Sequence, residues 1–70
     1  MTRSPRLIRR DATHFALVAK HGTDEDIRCL EEKWGMSLTS LIDNLWDEAI
    51  EADLHDVAAD MEALYEWLTQ

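Results

Sequence analysis

Seventy residues admit a single domain, 46% hydrophobic and 31% charged, with a formal net charge of −8. A chain this short usually needs a disulfide, a metal or a partner subunit, and its lone cysteine, Cys29, excludes an internal disulfide. The longest apolar run, residues 15–19, is too short to span a bilayer, and no apolar run of signal-peptide length follows the first arginines; a cytoplasmic homodimer without membrane contact is expected.

Residues 1–11 carry Arg3, Arg6, Arg9 and Arg10 and read as a basic, flexible arm able to lie along a phosphate backbone. Charge is divided sharply along the chain. Residues 1–22 sum to +4, with Asp11 the only acid, whereas residues 23–70 sum to −12. From Trp34 onward there are nine carboxylates and no Lys or Arg, a surface that repels phosphate and suits a basic protein partner.

Residues 11–22, DATHFALVAKHG, fit two patterns. With period two, Phe15, Leu17 and Ala19 share one face of a short strand, and His14, Ala16 and Val18 share the other. With period 3.6, Asp11 is an N-cap, Ala12, Phe15, Ala16 and Ala19 form a stripe, and Gly22 ends the helix. Alanine content favours the helix on propensity alone.

Thr23 reads as the cap of the next helix, with Asp24, Glu25 and Asp26 at its positive end and Gly35 as its stop. Ser37 caps a further helix with a wide stripe through Leu38, Leu41, Ile42, Leu45, Trp46, Ala49 and Ile50. A break is expected near residues 51–54, with Asp53 as a cap. Beyond it, Leu54, Val57, Met61, Leu64 and Leu68 alternate spacings of three and four, a heptad seam in an acidic amphipathic helix over residues 53–70.

The order Gly35, Met36, Ser37, Thr39, Ser40, Leu41, Ile42, together with the distance from Phe15 to Gly35, resembles the ribbon-helix-helix family of dimeric DNA-binding repressors and antitoxins. The resemblance covers about residues 13–52. It implies a mainly α, ribbon-helix-helix-like homodimer over residues 12–52, with a short N-terminal strand. In that reading His14, Ala16 and Val18 face the major groove, and the backbone around Ser37, Thr39 and Ser40 holds a phosphate. The alternative architecture is a small all-α bundle. A helix-turn-helix reading would place residues 37–50 in the groove, where three acids and no base oppose docking.

No residue pattern points to an enzyme or a cofactor. Cys29, His14, His21 and His55 lack metal-ligand spacing, and Cys29 reads as half-buried beside the stripe of Ile27 and Leu30. The carboxylate pairs Asp43 with Asp47 and Glu62 with Glu66 have no nucleophile or phosphate loop beside them. Trp34 and Trp46 read as core residues, while Tyr65 and Trp67 suit a protein interface, with Leu54, Val57, Met61, Leu64 and Leu68 as its apolar base. Two functions follow: a dimeric DNA-binding regulator or antitoxin, whose acidic last helix meets a protein, or an acidic inhibitor or DNA mimic acting on a basic partner.

Overall fold

A computed structural model describes residues 3–70; Met1 and Thr2 of the expected arm lie outside it. The first helix, α1, spans Pro5–His21. Ser4 accepts a hydrogen bond from the Leu7 amide as the N-cap, and Pro5 occupies the first turn, where its missing N–H removes no intrahelical bond. Ile8, Ala12, Phe15 and Ala19 are buried at spacings of four, three and four.

This helix corrects two expectations. Residues 12–20 are helical, no strand occurs among the described residues, and the arginine segment from Pro5 onward is ordered as helix. The physical reason is that the 3.6-period stripe reaches back to Ile8, which is fully buried. It therefore buries a longer apolar face than a five-residue alternation could. The ribbon of a ribbon-helix-helix dimer is absent from the described residues; the mainly helical class holds, as four helices.

Gly22 ends α1 in extended backbone, and its small size is required by contact: a Cβ there would lie 2.6 Å from the Val18 carbonyl oxygen. Helix α2, Asp24–Trp34, opens on a reciprocal capping box between Thr23 and Asp26 and closes at Gly35, whose φ of 68° is left-handed. Helix α3, Leu38–Glu51, is capped by Ser37, which accepts from the Ser40 amide.

The break at residues 52–54 falls within the expected stretch 51–54. Asp53, however, is not a cap; it sits at φ 60°, and no side chain caps the next helix. The Asp53 and Leu54 amides donate to Ile50 and Ala49 carbonyls at 3.1 and 2.8 Å. So short a turn folds α4, His55–Thr69, back along α3.

The heptad seam is thereby consumed inside the molecule. Val57, Met61 and Leu64 are buried against α1 and α3, in one cluster with Ile8, Phe15, Leu30, Leu41, Ile42 and Leu45. Each such large side chain contributes about 1.5–3 kcal/mol by burial. The radius of gyration is 11.4 Å, close to the roughly 11 Å of a fully compacted chain of this length. Trp34 is 41% exposed instead of core, with its ring edge-to-face on Phe15 at 5.8 Å. Trp46 is half-buried, and Cys29 is exposed.

Candidate protein-binding surface

The arginines expected to meet DNA are largely engaged within the fold. Arg3 donates to both carboxylate oxygens of Glu48 on α3 and to Asp11, the one buried charged residue of the described core. Its guanidinium is raised well above its ordinary pKa, chiefly by the Glu48 hydrogen bond, against a smaller opposing effect of burial. Arg9 pairs with Asp56 at the start of α4, at 2.6 and 3.3 Å, which raises Arg9 and lowers Asp56. That pair is solvent-exposed and screened by salt. Arg10 lies 3.7 Å from Asp11, and Arg6 forms no ion pair among the described residues.

The expected base-reading residues are not brought together. At 100° per residue a helix scatters His14, Ala16 and Val18: His14 is exposed, whereas Ala16 and Val18 pack against the core. The start of α3 is likewise occupied. The Leu38 amide donates to Glu31 Oε2 at 2.7 Å, and the Ser40 amide to Ser37 Oγ at 3.3 Å. Ser37 also donates to the Ser40 hydroxyl at 2.9 Å and lies 3.4 Å from that of Thr39. The chain thus supplies its own anion where a phosphate would bind.

A different surface is organised by α3 and α4. Between them runs an open groove of about 380 Å³. Its floor is Ile42 and Met61, both almost fully buried, and its walls are half-buried Trp46 and exposed Tyr65. Asp43, Glu62 and Glu66 line its edge, and none of the three has a cationic partner among the described residues. An apolar, aromatic trough rimmed by unpaired carboxylates fits the apolar face of a cationic helix or extended segment.

No family model matches the chain, nor does any curated protein or solved structure. The groove's chemistry therefore stands on its own geometry. No helix among the described residues is long and apolar enough to cross a membrane.

Of the residues expected to bind a partner, Val57, Met61 and Leu64 are core, and Leu54 and Leu68 are half-buried. Their surface role is corrected by the hairpin, which buries the seam intramolecularly. Tyr65 and Trp67 are exposed, 42% and 49%, yet they open on different grooves because two positions on a helix point about 200° apart. Sequence reasoning missed Ile42, Asp43, Trp46, Glu62 and Glu66 as one site. The available signal was the short break at residues 51–54: it forces antiparallel pairing and places the first half of α3 beside the last half of α4.

Proposed function

We propose that the chain is a protein-binding module whose α3–α4 groove takes a basic amphipathic segment of a partner protein, as an inhibitor or DNA mimic would. The observation that carries this reading is that Trp46 and Tyr65 flank an apolar floor together with three carboxylates that have no counter-charge among the described residues. The aromatics supply desolvated contact area; Asp43, Glu62 and Glu66 steer a cationic partner and set its orientation. The N-terminal arginines support the same polarity, since Arg3 and Arg9 are held by Glu48 and Asp56. For a DNA-binding regulator, the exposed residues Arg6, Arg10 and His14 remain on the outer face of α1.

The test is a fluorescence titration with a helical peptide carrying a Leu stripe and a Lys/Arg face. Binding should weaken as salt rises. A peptide of equal charge but scrambled apolar order should bind far more weakly, and combining Asp43→Asn, Glu62→Gln and Glu66→Gln should reduce affinity about tenfold or more. If the peptide fails to bind while duplex DNA binds with a steep salt dependence, the regulator reading replaces this one.

A further inference from the structure

A second groove lies on the opposite side of α4, between it and α1, with a volume of about 690 Å³. Its mouth holds the two most exposed large apolar side chains of the described residues, Leu17 at 56% and Trp67 at 49%. Its charge differs from the rest of the molecule. Arg9, Lys20 and Asp60 line it, Arg9 is already matched by Asp56, and neither Lys20 nor Asp60 has an ion-pair partner among the described residues.

We infer that this face is a homodimer interface in which a second copy of the chain lies antiparallel across the groove. Two molecules of net charge −8 repel one another over most of their surfaces. An approach through α3 and α4 would set Asp43, Glu62 and Glu66 of one copy against those of the other. The α1–α4 face is where opposite charges balance around exposed apolar area, so it is where two copies meet without that repulsion.

The register follows from the fold. Arg9 and Asp56, 47 positions apart, stand side by side, and α1 and α4 run in the same direction from there, with Lys20 and Trp67 lining the far end of the same groove. Thr13, Ala16, Asp60 and Ala63 line the groove between those ends, and the same offset of 47 matches Thr13 with Asp60 and Ala16 with Ala63 in height along the two helices. A two-fold axis through Ala16, Leu17 and Ala63 exchanges the two ends. Lys20 of each copy then meets Asp60 of the other, while the two Leu17 side chains close the centre. The interface is independent of the α3–α4 groove, which stays open on the outer side of each protomer.

Sedimentation of the full chain from low micromolar to near-millimolar concentration tests the proposal. The native chain should sediment at twice its 8.1 kDa mass at the upper concentrations. Lys20→Glu should raise the dissociation constant about tenfold, because two exposed pairs become two repulsions. Combining it with Asp60→Lys should restore dimerisation, a rescue that mere loss of folding would not give. Leu17→Glu, at an exposed position, should leave helical circular dichroism unchanged and abolish the dimer. A native chain that stays monomeric throughout, a Lys20→Glu chain that dimerises undiminished, or a double variant with no recovery would each overturn the inference. A monomer whose groove instead binds a Glu-rich amphipathic peptide would overturn it too.

Discussion

Arg3 holds Glu48 in a two-pronged ion pair, Nε to Oε2 at 2.9 Å and Nη2 to Oε1 at 2.8 Å, across 45 positions of sequence. The same guanidinium reaches buried Asp11. One side chain thus ties the segment before α1 to the second turn of that helix and to α3. Arg3→Ala should lower stability by about 1 kcal/mol, the part-exposed guanidinium being screened. Arg3→Lys should recover only part of the loss, since an ammonium cannot reproduce the fork. Urea unfolding of the three proteins checks the order; equal midpoints would show that Arg3 is a bystander.

Asp53 occupies left-handed backbone at φ 60° between α3 and α4. Glycine adopts that region without a Cβ penalty, and the negative charge it removes lies between the C-terminal end of α3 and the start of α4, where its two dipole effects oppose one another. Asp53→Gly should stabilise the fold by about 0.5–1 kcal/mol. Thermal melting would report it as a rise of several degrees, and a fall would contradict the geometry.

Gly22 is constrained by space. Its added Cβ would press on backbone, the Val18 carbonyl oxygen at 2.6 Å, which cannot swing aside as a flexible side chain can. Gly22→Ala should therefore destabilise by about 1–3 kcal/mol, read as an earlier unfolding midpoint. Gly35→Ala should also destabilise, through φ alone, because a Cβ there meets nothing within 4 Å.

Asp56 titrates below its ordinary 3.8, chiefly because Arg9 donates to its carboxylate. A depressed folded-state pKa means that the pair's contribution is fully present above the unfolded value and is lost as pH falls from near 3.8 through the lower folded value. Carboxyl NMR titration at low salt should place Asp56 below 3.8, and Arg9→Ala should move it back up toward that value. Since both groups are exposed, added salt should shrink the difference. An Asp56 titration unmoved by Arg9→Ala would dismiss the pair.

Much of this fold was legible where local rules act alone. Thr23, Gly35 and Ser37 mark helix ends by capping chemistry, and the stripe from Leu38 to Ala49 has helical period throughout. α1 was not, because five apolar residues in a row, 15–19, satisfy period two and period 3.6 at once. Ser4-Pro5 and the reach of the stripe to Ile8 carried the missing signal. The site was less legible than the fold. Tyr65 stood out by its aromatic character, yet joining it to Trp46 and Asp43 needs the pairing of two helices, a long-range fact that periodicity within either helix does not contain.

The most direct measurement is an amide and indole NMR map of the uniformly labelled chain titrated with the Leu-striped cationic peptide, and separately with duplex DNA. The central claim predicts that the peptide shifts Ile42, Asp43, Trp46, Glu62, Tyr65 and Glu66 together, leaving Arg6, Arg10 and His14 still, and that DNA shifts neither group. Shifts confined to Arg6, Arg10 and His14 on adding DNA, with a silent α3–α4 groove in the presence of peptide, would contradict it.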